Sequence, residues 1–162
     1  SDIIIFEQAP IVTEGSQLIT ESTRSQIGMI MPNGRVVATY CHYDGYPKYL
    51  GHQLETLTYK NSEKREKAFD LINGGDISYI KKGKPAYYAK RGEWDLHGAG
   101  NEPWEDVKPH TSNNFQELMD VTEDCNGAYL YVLYKDAKEW KCYNSDWKEL
   151  NIWSEYIFQE VA

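Results

Sequence analysis

The chain has 162 residues, a net charge of −8 and 41% hydrophobic residues. A chain of this length fits one domain, which buries about two-thirds of its unfolded surface without disulfides or a metal. The excess of acidic residues argues against a general affinity for nucleic acid, whose phosphates this surface would repel. The longest apolar run, Ile3-Ile4-Ile5-Phe6, is far shorter than the roughly 20 residues of a membrane span. We expect no general binding of nucleic acid and no membrane partner.

The cysteines indicate a reducing environment. Cys41, Cys125 and Cys142 are an odd number at wide spacings, which is not typical of a disulfide framework. The first residues also lack the charged, apolar and small-residue regions of a secretory signal. We therefore expect a cytoplasmic location, and no cofactor is predicted.

Strands are predicted in the first quarter of the chain. Residues 1–21 are expected to form an N-terminal extension with a short strand at 3–6. Two apolar runs within residues 27–40 then flank Asn33-Gly34. Asn-Gly suits a two-residue type I′ turn, because both turn positions need positive φ. This segment is predicted to be a β-hairpin in which the numbers of opposite residues sum to 67.

That register predicts two clusters at the open end of the hairpin, because alternate residues of a strand share a face. One face would carry Thr23, Ser25, His42 and Asp44, and the other would carry Arg24, Gln26, Cys41 and Tyr43. Both clusters include part of the stretch from Tyr40 to Pro47, which reads YCHYDGYP.

The first cluster suggests a nucleophile, a base and an orienting acid. Ser25 would reach His42, but Asp44 would not obviously reach the far nitrogen of that ring, and no oxyanion hole is visible. Cys41 is a weaker nucleophile candidate, because neighbouring strand residues point to opposite faces. A metal pair of His42 and Asp44 would need further ligands from the other histidines, His52, His97 or His110. No catalytic residue and no metal site is predicted.

The alternative is that this stretch joins a strand to a helix. Asp44 would accept hydrogen bonds from turn amides and pair with Arg24, and Gly45 would supply positive φ. The junction would still form a binding rim at a helix N-terminus, where anions are stabilised. The predicted binding residues are Arg24, Ser25, His42, Asp44 and Tyr46.

Three helices are predicted from apolar residues at helical spacing. The first follows Pro47, which is favourable in a first helical turn. The second follows the cap candidates at 61–62 and stops at Gly74-Gly75. The third begins at Asn113, which with Gln116 resembles a capping box.

A basic, aromatic segment follows the second helix. No acid lies between Asp76 and Glu93, and the mixture of cations and tyrosines suits phosphates or stacked bases. A solvated edge strand kept soluble by lysines is the alternative. The predicted second contact consists of Lys81, Lys82, Lys84, Tyr87, Tyr88, Lys90 and Arg91.

The remaining pattern completes an α+β prediction. Residues 92–112 are expected to be a long loop, and residues 128–143 to be a second hairpin rich in aromatic and β-branched residues. The predicted fold is a single domain over residues 1–162. It consists of an antiparallel sheet from two β-hairpins packed with about three helices.

Several motifs resemble an uncharacterised family of small proteins encoded mainly by tailed bacteriophages. The matching segments are Ser22-Thr23-Arg24-Ser25-Gln26-Ile27-Gly28, the YCHYDGYP stretch with Gly51, and Gly75-Asp76-Ile77-Ser78. Family members tend to read STRSxIG, YCHxDGYPxxxG and GDIS and to close with a tyrosine-rich hairpin. The resemblance spans most of residues 22–150 and implies a phage setting, in which small accessory proteins commonly bind host components.

The sequence therefore predicts a phage accessory protein in the host bacterial cytoplasm, where it binds a host protein for takeover or defence inhibition. Its acidic surface favours a basic partner. A small phosphorylated ligand, or a hydrolase using His42, Ser25 and Asp44, is the second hypothesis. A structural or virion-associated protein is the third.

Overall fold

The computed structural model describes residues 22–58, 64–134 and 140–150, and its centre is one eight-stranded sheet. The strands are β1 (Ser25–Ile30), β2 (Val36–Cys41), β3 (Ile77–Lys81), β4 (Lys84–Tyr87), β5 (His110–Ser112), β6 (Tyr129–Leu133), β7 (Lys141–Asn144) and β8 (Glu149–Leu150). The α-helices are α1 (His52–Thr58), α2 (Lys64–Asn73), α3 (Trp104–Val107) and α4 (Phe115–Asp124). A π-helical turn at Pro47–Gly51 precedes α1, and a 3-10 segment spans Tyr88–Glu93. The predicted strand at 3–6 and the caps at 61–62 lie outside the described residues.

The sheet has the order β4-β3-β2-β1-β6-β7-β8, and β5 also pairs with β2. Strand β1 is antiparallel to β2 but parallel to β6, and β2 is parallel to β3. The α+β class is confirmed. The prediction of a purely antiparallel sheet from two hairpins is wrong, since the sheet is mixed and larger, and the helical segments exceed three. The extra strands β3, β4 and β5 are too short to show a clear period in the sequence.

Helices cover both faces of the sheet. Helices α1 and α2 contribute to a core that includes Tyr131 and Leu133 of β6, and we call this side the α1–α2 face. Helix α4 contributes to a second core that includes Leu130 and Val132, and we call this side the α4 face. Because alternate residues of β6 point into different cores, that strand is apolar along its length.

The hairpin of β1 and β2 is confirmed, but its predicted register is wrong by one residue. The observed pairs sum to 66, with Ser25 opposite Cys41 and Gln26 opposite Tyr40. Gly34 donates to the Met31 carbonyl at 2.9 Å, and of the three loop residues only Gly34 has positive φ, at 87°. The loop is therefore a type I turn followed by a glycine bulge, with three residues rather than two.

Pro32 explains the different turn. In the two-residue loop Pro32 would occupy the last ladder position, which needs a backbone N–H that proline lacks. In the observed loop Pro32 takes the second position of a type I turn, which its fixed φ favours. The two-residue loop with positive φ at both positions occurs instead at Lys82 and Gly83, between β3 and β4.

The predicted helices and the second hairpin are confirmed with adjusted ends. Strands β6 and β7 pair in antiparallel fashion, and the turn between them at 135–139 lies outside the described residues. Helix α4 begins one residue later than predicted, because the Asn114 side chain accepts from the Glu117 amide at 3.0 Å. The Glu117 carboxylate accepts from the Asn113 amide at 2.7 Å. The segment 92–112, expected to be a loop, contains α3 and β5.

Candidate functional site

The YCHYDGYP stretch is fixed by backbone hydrogen bonds to neighbouring strands. The His42 amide donates to the Ile77 carbonyl at 2.9 Å, and the Tyr43 amide donates to the Ser78 carbonyl at 2.8 Å. The buried Tyr131 hydroxyl donates to the Gly45 carbonyl at 2.7 Å. The stretch therefore continues β2 along β3 and is held in one conformation.

The α1–α2 face of this stretch is closed by packing. Ser25 and Cys41 are both 0% exposed and lie opposite each other. A Cβ built on Gly45 would lie 2.7 Å from the Ser25 oxygen and 2.6 Å from the Thr23 carbonyl oxygen. Only glycine therefore fits at position 45. Burial, and next the charge of Asp44, raises the pKa of the Cys41 thiol to about 12, so this thiol is a poor nucleophile.

The predicted grouping of Ser25, His42 and Asp44 is not formed. Asp44 is buried. Burial, and next the charge of Asp44, raises the pKa of Cys41 and of Tyr49. His42 contacts Tyr40 on the α4 face. Asp44 has φ 58°, and it supplies the positive φ that was predicted for Gly45.

The start of the helical segment is closed by its own backbone. The Tyr46 carbonyl accepts from the amides of Tyr49 and Leu50 at 3.0 and 2.9 Å, and Pro47 has no N–H. Arg24 was predicted to stand beside this helix start. It donates instead from Nη1 to the Cys125 carbonyl at 3.3 Å, at the end of α4. One nitrogen of Arg24 is therefore directed to the end of α4 rather than to this helix start.

Polar side chains gather on the α4 face at the same end of the hairpin. The Tyr40 hydroxyl lies 2.5 Å from Nδ1 of His42, and Gln26 Oε1 lies 2.9 Å from Nε2 of His110. Burial, and next the Arg24 charge, lowers the pKa of His42. His42 is therefore a neutral imidazole at pH 7, suited to accept or donate one hydrogen bond.

Asp76 lies at the edge of β2 beside Tyr40 and was not predicted. Strand β5 pairs with β2 up to Ala38, and β3 pairs with it at Cys41, which leaves a gap at the β2 edge. The Tyr40 amide, in that gap, donates to Asp76 Oδ1 at 3.4 Å. Burial raises the pKa of Asp76 to about 6. The GDIS motif contained this residue, but nothing in its spacing linked it to Tyr40.

The residues of the predicted basic contact do not form one surface, because they lie in different surroundings. Lys81, Lys82 and Lys84 are exposed around the turn between β3 and β4, and Lys90 is exposed in the 3-10 segment. Tyr87 points inward, since its hydroxyl donates to the Leu71 carbonyl at 2.6 Å. Arg91 is neutralised by ion pairs with Asp95 and Glu102 at 2.7 and 2.9 Å.

Tyr88 joins the second predicted contact to the first. Burial raises the pKa of Tyr88. The Tyr88 amide donates to the Asp76 carbonyl at 3.0 Å and the His42 amide donates to the Ile77 carbonyl at 2.9 Å, so both residues are held along the start of β3. The rings of His42 and Tyr43 are 4.3 Å apart, and the Tyr88 ring is 5.9 Å from that of Trp94. We call the half-buried set Tyr40, His42, Tyr43, Tyr88 and Trp94 the aromatic surface.

The aromatic surface is made of residue types that are common in binding sites. Tyrosine and tryptophan give a large contact area with polar ends and little loss of conformational entropy. Within the described ranges, no group of three His, Cys, Asp or Glu side chains could hold a metal ion. A groove of about 430 Å³ lies at the other end of the hairpin, beside Pro32, Val37 and Phe69, away from every predicted site residue.

Comparisons with known proteins add no assignment. No protein-family model, no curated protein and no solved structure matches this chain. Among the described helices, none has the length and apolar character needed to cross a membrane.

Proposed function

We propose that the protein binds another protein through the aromatic surface and has no catalytic role there. The observation that carries this proposal is the position of His42 and Tyr43, whose half-buried rings lie 4.3 Å apart on a fixed strand end, with half-buried Tyr88 bonded to the start of the same neighbouring strand, β3. Aromatic residues and arginine are enriched at the centres of protein interfaces. The buried Ser25 and the raised pKa of Cys41 argue against a nucleophile at the same place.

We further propose the setting that the sequence predicts, a phage accessory protein acting on a host bacterial protein in the cytoplasm. The motifs of residues 22–150 support the phage setting by resemblance. The net charge of −8 supports a basic partner, because complementary charge speeds and orients association. A small phosphorylated ligand is less favoured, since Arg24 already donates to the Cys125 carbonyl.

Photo-crosslinking in a bacterial lysate tests the proposal. A photoreactive phenylalanine replaces Tyr43, and a matched control carries it at Lys67, an exposed position of α2. We expect one discrete protein adduct at position 43 and none at 67. The adduct should disappear when His42→Ala and Tyr88→Ala are added to a chain whose circular dichroism is unchanged.

Other outcomes decide between the hypotheses. An adduct that persists in the double variant would show that the aromatic surface is not the contact. A phosphorylated small molecule retained in native mass spectrometry, with no protein adduct, would favour the ligand hypothesis. No adduct and no retained molecule would favour the structural role.

A further inference from the structure

Two large apolar side chains are exposed close to the aromatic surface. Leu96 is 97% exposed and Trp104 is 46% exposed, and they are the exposed large hydrophobic residues of the described ranges. Both lie in one segment after the 3-10 segment, and Trp104 begins α3. Single exposed leucines are common on protein surfaces, so exposure alone does not indicate a function.

The loop that carries Leu96 is held firmly. Arg91 donates from Nε to Asp95 Oδ2 at 2.7 Å and from Nη1 to Glu102 Oε2 at 2.9 Å. The other oxygen of Asp95 accepts from the His97 amide at 2.7 Å. These bonds place fixed backbone on both sides of Leu96.

A second set of bonds ties the ends of the loop together. The Gly92 amide donates to Asn101 Oδ1 at 2.7 Å, and the Glu102 amide donates to the Tyr88 carbonyl at 3.0 Å. The loop is therefore closed at its base. An apolar side chain on such a loop loses little conformational entropy when it is buried by a partner, which favours binding.

The Leu96 loop is continuous with the aromatic surface. The Arg91 guanidinium lies 5.5 Å from the centre of the Tyr88 ring and 5.8 Å from that of Trp94. The residue that fixes the loop therefore also packs on two rings of the aromatic surface. Leu96 follows Trp94 by two residues, so a partner that covers Trp94 comes close to Leu96.

The charges around Leu96 indicate the chemistry of that partner. The loop from 90 to 102 carries three acids, Glu93, Asp95 and Glu102, and two cations, Lys90 and Arg91, which leaves a net charge of −1. Arg91 pairs with Asp95 and Glu102, and Glu93 is exposed. The loop therefore has a weak excess of acid, in keeping with the net charge of the chain. Complementary charge would come from lysine or arginine side chains on the partner.

We propose that Leu96 is an anchor that inserts into an apolar pocket with a basic rim on the protein that binds the aromatic surface. This inference rests on the proposed function and names the shape and charge of the partner's contact. Burial of one leucine in such a pocket contributes enough free energy to change a dissociation constant by about 30-fold.

The experiment has a step that needs no partner and a step that uses one. In hydrogen exchange, the His97 amide should be protected, and Arg91→Ala should release it. The photoreactive residue is then placed at position 96 and should capture the same protein as position 43. With that protein purified, Leu96→Ser should weaken binding about 30-fold by calorimetry, while His97→Ser, a neighbouring exposed change, should not.

Each contrary result has a distinct meaning. An unprotected His97 amide would overturn the inference that hydrogen bonds hold the backbone around Leu96 in place. Adducts at 43 but not at 96, or an unchanged dissociation constant for Leu96→Ser, would overturn the Leu96 inference and leave the proposed function intact. An adduct at 96 between two copies of this chain would replace the basic partner with self-association. Empty results at both positions would overturn both proposals.

Discussion

The two faces of the sheet differ sharply where β1 and β2 reach their open end. On the α1–α2 face, Ser25, Cys41 and Gly45 are packed so closely that a single added carbon meets atoms within 3 Å. On the α4 face, Tyr40 and His42 are half-exposed and linked by side-chain hydrogen bonds. Neighbouring residues of the YCHYDGYP stretch therefore lie in different surroundings. Cys41 and Gly45 are packed into the fold, whereas the rings of His42 and Tyr43 are partly exposed, and our proposal assigns binding to them.

The strongest test of this contrast is Gly45→Ala. The new Cβ would meet backbone and side-chain atoms that cannot move independently, so we expect a loss of about 3 kcal/mol or more in the free energy of unfolding. Urea denaturation followed by circular dichroism measures it. Gly100→Ala is the matched control, because its Cβ would have no neighbour within 4 Å. Equal stability of the two variants would refute the claim that the α1–α2 face is tightly packed around Gly45.

One chemical change can be compared on both faces. Tyr131→Phe removes a buried hydroxyl and leaves the Gly45 carbonyl without that donor, so we expect a loss of about 2 kcal/mol. Tyr40→Phe removes a half-exposed hydroxyl, which water replaces, and should cost about 0.5 kcal/mol. Urea denaturation measures both losses. If each variant keeps the parent's dependence of the unfolding free energy on urea, the shift of its midpoint gives its loss of free energy. A larger cost for Tyr40→Phe would contradict the assignment of the two faces.

The ionisation of Asp76, at the edge of β2, makes the free energy of unfolding depend on pH. Its pKa is raised from 3.8 to about 6 by burial, so the folded protein binds a proton more readily than the unfolded chain does. The contribution of Asp76 to stability is therefore complete below pH 3.8 and is lost as the pH rises through about 6. Asp76→Asn should be more stable than the parent by about 1 kcal/mol at pH 8, after a discount for partial exposure.

The comparison at low pH is the control for Asp76. The advantage of Asp76→Asn should shrink toward zero at pH 4, where the parent carboxyl is protonated. Thermal melts of both proteins across this range measure the difference. An advantage that stays constant with pH would mean that the carboxylate is not the cause.

The smallest effect on stability is expected for His42→Gln. The side chain is half-exposed, and glutamine keeps polar atoms toward Tyr40, so the free energy of unfolding should change by less than about 0.5 kcal/mol. The crosslink at Tyr43 should nevertheless weaken. A large loss of stability would show that His42 stabilises the fold, against its proposed role in binding.

The sequence predicted those parts of the fold that depend on neighbouring residues. The helix after Pro47, the helix before Gly74 and the hairpins around Asn33 and residues 135–139 all carry local periodic or turn signals. The register error came from Pro32, whose missing N–H excludes the two-residue turn, and that signal was present in the sequence. The order of the sheet was not predictable in this way, because periodicity does not say which strand lies beside which.

The site was hard to predict because it also depends on which strands lie side by side. Tyr88 and Asp76 reach the YCHYDGYP stretch only because β3 extends alongside the end of β2. The assumed register put His42 opposite Ser25. A shift of one residue puts Cys41 there instead, so Ser25 and His42 lie on opposite faces. The choice of His42 as a candidate stays a prediction, and its observed neighbours are not the ones that the assumed register gave it.

The parallel pairing of β1 with β6 has a consequence for how the chain is made. Ser25 lies beside Tyr129, so the two partners are separated by most of the described chain. During synthesis β1 can pair with β2 soon after both emerge, but its other edge has no partner until β6 leaves the ribosome. Long-range pairing of this kind slows folding, and an open strand edge invites contact with other chains. We therefore expect nascent chains that end before residue 129 to need chaperone protection.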